Sequence, residues 1–349
     1  MLNSRVYLDW NASSPIEENV KIAMSKAMDH FGNPSSIHNE GRKAKSIIES
    51  ARRTIATALG ANNADIIFVS SATEGCAYLM ANRALDASDI EHDAVFAWRK
   101  NKLDVSKDGG IMIKDPQNSC MQAANSETGL LQDLQKNIAV CDATQMIGKL
   151  PISFDWSGVD AMIISAHKFG GPKGVGAVIT KKDLEILPNI RGGGQEFNKR
   201  AGTENIIGIA GFAKAVELAQ QRLDDGLHKD IEDLRNYLED EICDFAYDAI
   251  IVNKNKKRLP NTTCVSIPYW LNNIQVIMMD LEGFSISAGS ACSSGKVTKS
   301  RTLSAMGMSP IECQSAIRIS IGHRTTKKEI DRFLYSYKTA YKKNKAKAA

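Results

Sequence analysis

The chain has 349 residues, 43% hydrophobic and 24% charged, enough for a large apolar core plus a smaller second domain, and unlike a disordered or fibrous protein. Forty-four Lys and Arg against 40 Asp and Glu leave +4, with no long basic stripe outside the tail "KKNKAKAA", so charge requires no nucleic-acid partner. The opening "MLNSRVYLDW" lacks the charged-then-apolar layout of an export signal, and no apolar run approaches the roughly 18 residues that span a bilayer; a cytoplasmic protein without membrane contact is expected.

In chain order, a short strand "RVYLD" precedes two helix-length amphipathic segments, "EENVKIAMSKAMDHFG" and "EGRKAKSIIESARRTIATALG", the second stopping at a glycine suited to a helix C-cap. Short apolar runs follow: "DIIFVSS", "SCMQAAN", "NIAVCDA", "VDAMIIS" and "GVGAVIT". Runs of this length between turn signals suit strands buried on both faces, and their alternation with helical patterns predicts an α/β domain with a largely parallel sheet. From about residue 204 the pattern changes to long helices, "ENIIGIAGFAKAVELAQQRL" and "HKDIEDLRNYLEDEIC". Strand candidates "NTTCVSIP", "GFSISAGS" and "AIRISIG" come next, and a last helix opens on the capping box Thr326-x-x-Glu329; together these predict a small α+β domain.

Seven cysteines, at 76, 120, 141, 243, 264, 292 and 313, show neither CxxC pairs nor zinc-finger spacing, so no disulfide framework and no metal site is expected. Cys120, Cys141 and Cys264 lie in apolar runs and read as buried small residues. Cys292 differs: "SAGSACSSGK" is a run of small polar residues with nothing to anchor it in a core.

Ligands of open α/β sheets bind beyond the carboxyl ends of the strands, so the polar residues just after the apolar runs matter most. After "DIIFVS" comes Ser71-Ala72-Thr73-Glu74-Gly75, a turn able to offer N–H groups and the Thr73 hydroxyl to a phosphate at a helix N-terminus. After "NIAVC" come Asp142 and Gln145, and after "AMII" come Ser165-Ala166-His167-Lys168. Taken singly, Lys168 reads as a solvated loop lysine and Asp142 as a strand-end cap. Together the set indicates a phosphate-bearing ligand, and pyridoxal phosphate (PLP) is the candidate that also uses the lysine, as Schiff-base partner, and the acid, against the pyridine nitrogen. "GGPKG" lacks the spacing of a nucleotide P-loop.

The segment "SAHKFGGPKGVGAV" resembles the Schiff-base segment of the NifS-like cysteine desulfurases, in the class V aminotransferase group of fold-type I PLP enzymes. "YLDWNASSP", "FGNPSSIH", "SSATEG", "EHDAV", "ANSETG", "DATQMIGKLP", "RAGTENIIG", "SAGSACSSGK" and "RISIG" extend the resemblance over nearly the whole chain. It implies an aspartate aminotransferase-like fold, with a large PLP-binding domain over 16–223 and a small α+β domain over 1–15 and 224–349. It also implies Lys168 as the PLP lysine, Asp142 at the pyridine nitrogen, Gln145 and Ser126 near the ring O3′, and His92 stacked on the ring and handling protons. Ala72, Thr73, Ser165 and His167 would hold the phosphate, Thr203 would reach the phosphate of a neighbouring subunit in a homodimer, and Arg318 with Asn11 would bind the substrate. Cys292 would take sulfur from L-cysteine as a persulfide, releasing alanine, and pass it to an acceptor protein such as an iron–sulfur scaffold or a thiolation enzyme.

The chain departs from the family's pattern at three places. Ser126 stands where an asparagine is usual, and Gly75-Cys76 replace Ser-Asn after Thr-Glu. The stretches from His92 to Asn125 and from Gly129 to Asp142 are short, the second leaving "LLQDLQKNIAVC", so a peripheral helix there is expected to be reduced or absent. Two other functions fit the same scaffold: a low-activity paralogue serving as an assembly partner, and a selenocysteine lyase.

Overall fold

The structure, a computed structural model, describes residues 5–289 and 299–348; the Cys292 loop lies outside the described residues. The chain begins with β1 (Val6–Tyr7), α1 (Glu18–Met28), α2 (Asn39–Ala58), β2 (Ala64–Val69), α3 (Ala72–Met80), β3 (Ala87–Ser88), α4 (Asp93–Phe96), β4 (Lys102–Val105) and β5 (Ile111–Met112). It continues through β6 (Cys120–Gln122), β7 (Val140–Asp142), α5 (Phe154–Ser157), β8 (Ala161–Ser165), β9 (Gly176–Lys181), α6 (Ile206–Asp224) and α7 (Leu227–Phe245). The last part holds β10 (Ile250–Ile251), β11 (Thr262–Ser266), α8 (Asn272–Leu281), β12 (Phe284–Ser285), β13 (Ser287–Ala288), α9 (Arg301–Ala305), α10 (Pro310–Ser315), β14 (Ala316–Ser320) and α11 (Lys327–Ala348).

The central sheet runs β2-β9-β8-β7-β6; β6, β7 and β8 are mutually parallel and β9 is antiparallel to both its neighbours. A parallel bridge between Asp86 and Ser119 continues it towards β3, β4 and β5. The strands are apolar throughout because alternate residues feed two cores. Ile66, Phe68, Met162 and Ile164 pack with Ile48, Ile55 and Phe212, while Ile67, Val69, Ile163 and Val178 pack with Tyr78 and Leu79. Helix α2 contributes Ala44, Ile48, Ala51 and Ile55 from one face and ends at Ala58, with Leu59 at the C-cap and then Gly60 with φ +54°, the capping glycine its pattern predicts. Between β6 and β7 no helix forms among the described residues, and that crossover carries only turns and the bridges Ala124 to Leu131 and Leu130 to Arg258.

A second sheet, β10-β11-β14-β13, packs on α7, α8 and α11 through Leu238, Ile242, Val265, Ile317, Phe333 and Tyr337. Trp270, Tyr337 and Phe333 stack in sequence at centroid distances of 5.0 and 5.2 Å. The N-terminal segment belongs to this layer: β1 pairs in parallel with β12, Val6 opposite Phe284. At the start of α11 the Thr326 box forms, with Thr326 N on Glu329 at 2.8 Å and Glu329 N on the Thr326 hydroxyl at 3.3 Å. No described helix is long and apolar enough to cross a membrane.

Candidate active site

Strands β2, β7 and β8 point the same way, so the residues following them share one sheet edge. Asp142 closes β7 opposite Ile163, and its Oδ1 accepts from Thr144 N at 2.9 Å. Ser165 closes β8 and is 2% exposed; a single 3₁₀ turn over Ala166–Lys168 then brings His167 and Lys168 out over the edge. After β2, Ser71 caps α3 by accepting from Glu74 N at 3.3 Å. The N–H groups of Ala72 and Thr73 fall in the first helical turn, where no intrahelical acceptor exists. Helix α3 sits close on the sheet, since a Cβ on Gly75 would lie 3.1 Å from the Cγ2 atoms of both Ile163 and Val178. Gly75 and the fully buried Cys76 belong to the packing face of this helix, with Tyr78, Leu79 and Met80.

Lys168 Nζ donates to the main-chain carbonyls of Asn11 at 2.9 Å and Ala12 at 3.0 Å. Gln145 Nε2 donates to the same Asn11 carbonyl at 3.0 Å. Asn11 itself is 1% exposed, and its side-chain amide is fully engaged: Nδ2 donates to Ser126 O at 3.2 Å and Thr262 Oγ1 at 2.8 Å, and Oδ1 accepts from Lys149 at 2.7 Å and Asn261 at 3.0 Å. Ser126 takes part through its backbone, its carbonyl also accepting from Arg318 Nη1 at 3.0 Å. Arg318 is buried in β14, its Nη2 on Asp9 at 2.7 Å and its Nε buried without a hydrogen-bond partner. The structure thus joins Asn11, Ser126, Gln145, Lys168 and Arg318 into one hydrogen-bonded set.

His92 caps α4, with Nδ1 accepting from Ala94 N at 3.1 Å, which places the ring proton of the neutral form on Nε2. Its neighbour Glu91 is fully buried, accepting at Oε1 from Gln122 N at 3.2 Å and the Ser88 hydroxyl at 3.3 Å. Burial and then the Asp142 carboxylate push its pKa up to about 8, so it is a neutral acid near pH 7. His167 moves the other way: burial, then Lys168, Lys173 and His92, bring it down to about 4, and its Nδ1 lies 3.3 Å from the Ser13 hydroxyl. Thr203 is exposed on a segment held to α3 by Arg200 and Glu74 at 2.8 Å. Lys173 is exposed.

Among the described cysteines, Cys76, Cys120, Cys141, Cys264 and Cys313 are buried, as expected for Cys120, Cys141 and Cys264, and burial raises each of these thiols above its ordinary pKa. Cys292 lies outside the described residues. Sequence reasoning assigns no role to three residues at the site: Lys149 of "DATQMIGKLP", Glu127 of "ANSETG", and Arg301. Glu127 is buried, with Oε2 accepting from the Ser300 hydroxyl at 2.9 Å, and burial raises its pKa. No described cluster of His, Cys, Asp and Glu is arranged to hold a metal.

The family model for class-V aminotransferases matches residues 6–104 and 104–333. The chain belongs to the class-V aminotransferases. Within that family it is 36% identical to a cysteine desulfurase IscS of Dictyoglomus turgidum, over 95% of this chain and 93% of the other. Its fold superposes on a NifS-like protein of Rickettsia africae with TM-score 0.88 at 33% identity, covering 97% of this chain and 99% of that one. A structure described as SspA in complex with cysteine matches with TM-score 0.73 at 28% identity, over 92% of this chain and 99% of that one. The class-V fold, a largely parallel central sheet with one antiparallel strand, is the architecture expected from the apolar runs.

Proposed function

We propose that the protein is a cysteine desulfurase that binds PLP and converts L-cysteine and its own Cys292 thiol into L-alanine and a Cys292 persulfide. The observation that carries this reading is the placement of an amine, a carboxylate and a helix N-terminus on one sheet edge: Lys168 after β8, Asp142 at the end of β7 and Ala72-Thr73 opening α3. That donor set fits the cofactor piece by piece. The open N–H groups of α3 with Ser165 and His167 suit a phosphate, Asp142 suits a protonated pyridine nitrogen, and Lys168 suits the aldehyde carbon. Bound there, PLP supplies an electron sink for the bond changes at the amino-acid α- and β-carbons.

The chain's own groups do the rest. Lys168 is held by two carbonyl acceptors and serves as the carrier of the α-proton. Arg318, whose Nε has no protein acceptor, is the clamp for the substrate carboxylate, with a planar fork suited to two oxygens. His92 is exposed, with Nδ1 taken up by Ala94 N, and is suited to moving the proton of the substrate thiol. Cys292, in a run of small residues, is the nucleophile towards the substrate sulfur, a step that needs the thiolate. The structural relative described in complex with cysteine supports the substrate.

Thr203, exposed on its segment, is the contact for a second copy, and the active unit is a homodimer. The persulfide passes to an acceptor protein of iron–sulfur assembly or thiolation. The test is Cys292→Ser: the variant should still bind PLP, with its visible absorbance, and lose persulfide formation and alanine release from cysteine. Parent-rate sulfur transfer by that variant overturns the role of Cys292, and a parent chain that releases no alanine overturns the desulfurase reading.

A further inference from the structure

Lys149 stands in the turn after β7, four residues past Gln145, with its ammonium buried among the residues of the site. Its two hydrogen bonds go to neutral oxygens, Gln145 Oε1 at 2.5 Å and Asn11 Oδ1 at 2.7 Å, and the charges that bear on it most are the cations Lys168 and Arg318. Burial and those two cations lower its pKa, while the bonds it donates to the Gln145 and Asn11 amide oxygens favour the protonated amine. An ammonium placed at such cost, in the middle of a constellation rather than at its rim, points to a task at the site.

The task follows from the chemistry of amides. The oxygen and nitrogen ends of a Gln or Asn side chain have nearly the same shape, and partners alone decide which end faces which way. A protonated lysine only donates, so it turns the oxygen of each amide towards itself. For Gln145 this directs Nε2 to the Asn11 carbonyl, the acceptor shared with Lys168. For Asn11 it directs Nδ2 to the Ser126 carbonyl, the acceptor shared with Arg318. One cation therefore polarises two amides, and each amide meets an acceptor that also holds a residue of the proposed chemistry.

We propose that Lys149 is a positioning residue whose ammonium fixes the orientation of the Gln145 and Asn11 side-chain amides, and through them the seats of Lys168 and Arg318. The consequence for turnover rests on the desulfurase reading; the seat of Lys168 does not. The first measurement therefore uses protein freed of cofactor: trace acylation with acetic anhydride across a pH series, with Lys168 quantified by mass spectrometry. Lys149→Met is expected to shift the pH midpoint of Lys168 acylation by about half a unit or more, the scale of a lost nearby charge and hydrogen bond. In a Gln145→Ala background the same substitution should shift it by less than roughly a third as much, because the route runs through that amide. Lys149→Arg, which keeps donor and charge, should bring the midpoint back towards the parent.

No shift in Lys149→Met, or an equal shift in both backgrounds, overturns the proposal, the second outcome meaning that the charge acts directly. Should Lys149→Met fail to fold, Lys149→Gln, which keeps a donor of one end without the charge, carries the same comparison with the same outcomes. In PLP-loaded protein the parallel expectation is a moved pH midpoint of the visible band and a kcat lowered more than KM is raised. A parent chain without a visible band on adding PLP counts against the desulfurase reading, while the acylation series still decides the role of Lys149.

Discussion

Arg301 donates through Nη2 to the carbonyl oxygen of Glu91 at 2.6 Å, one residue ahead of His92. Its Nε donates to Asp89 O at 2.8 Å, its Nη1 pairs with Asp93 at 2.8 Å, and its guanidinium lies 3.8 Å over the Phe96 ring. Helix α4 has four residues and holds its own geometry poorly, so this side chain from the start of α9 encloses the turn that carries His92.

Arg301→Ala should therefore lower the kcat for alanine release by about tenfold, within the range a general acid–base group contributes, and change KM by less than about threefold. Arg301→Lys should recover only part of the loss, since one ammonium does not span two carbonyls and a carboxylate. Steady-state kinetics of the three proteins decide it, and an unchanged kcat in Arg301→Ala removes Arg301 from the positioning of His92.

The contrast between Lys168 and Arg301 shows what can be read without coordinates. Lys168, Asp142 and Ser165 follow buried apolar runs directly, and parallel strands of one sheet must end on one edge, so local pattern is enough to group them. Arg301 and Lys149 act on main-chain carbonyls and amide oxygens, partners that leave no mark in residue type. The elements divide in the same way. The strands of the central sheet and the long helices α2, α6 and α7 announce themselves by period and caps. Helix α8, "NNIQVIMMDL", has apolar residues on exposed and buried faces alike, Ile274 and Ile277 outside and Met279 inside, so its period is blurred. The hairpin of β4 and β5 depends on turn chemistry at "SKDGG", where Gly109 takes φ +87°. The missing helix between β6 and β7 was legible from length alone, because twelve residues from Leu130 to Cys141 must also reach a strand.

Glu17 ties three basic side chains together: Arg222 on α6 at 3.1 Å, His323 at 2.8 Å and Arg324, the last two following β14. Burial alone would raise its pKa, but the His323 hydrogen bond and charge, with Arg222 and Arg324, bring it to about 2. A carboxylate depressed on folding adds stability that is present above its unfolded pKa, near 4.5, and is lost as pH falls towards 2. Glu17→Gln should thus melt at a lower temperature than the parent at pH 7, and the gap should close between pH 4.5 and 2. A gap that persists unchanged at pH 2.5 contradicts the ionic origin.

Arg258 and Glu239 form a bidentate pair with 2 and 1% side-chain exposure, Nη1 on Oε1 at 2.8 Å and Nη2 on Oε2 at 2.9 Å, and Thr263 adds a third bond to the carboxylate at 2.9 Å. Removing one member leaves a buried charge without its partner, which costs about 3–5 kcal/mol. Glu239→Gln should show this loss in equilibrium denaturation. Replacing both residues together with apolar ones of similar volume should cost distinctly less than the single change. A single variant within about 1 kcal/mol of the parent would mean that water reaches the pair.

Glu91 makes the opposite pH prediction from Glu17. Its carboxyl is raised on folding to about 8 by burial and by Asp142, against 4.5 unfolded. The folded state then keeps a proton that the unfolded state releases, so the contribution is most favourable below pH 4.5 and is lost as pH rises from 4.5 to 8. At pH 7 this amounts to at most about 3–4 kcal/mol against folding, each pH unit being worth about 1.36 kcal/mol. Glu91→Gln keeps an oxygen for Gln122 N and the Ser88 hydroxyl and places an amide where Oε2 now has no partner, matching the neutral acid in shape. It removes the ionisation without removing the bonds. The variant should melt above the parent at pH 8, and the difference should shrink steadily to nothing by pH 4.5. Equal melting temperatures across that range would show that Glu91 titrates as an ordinary carboxylate and that the field of Asp142 does not reach it.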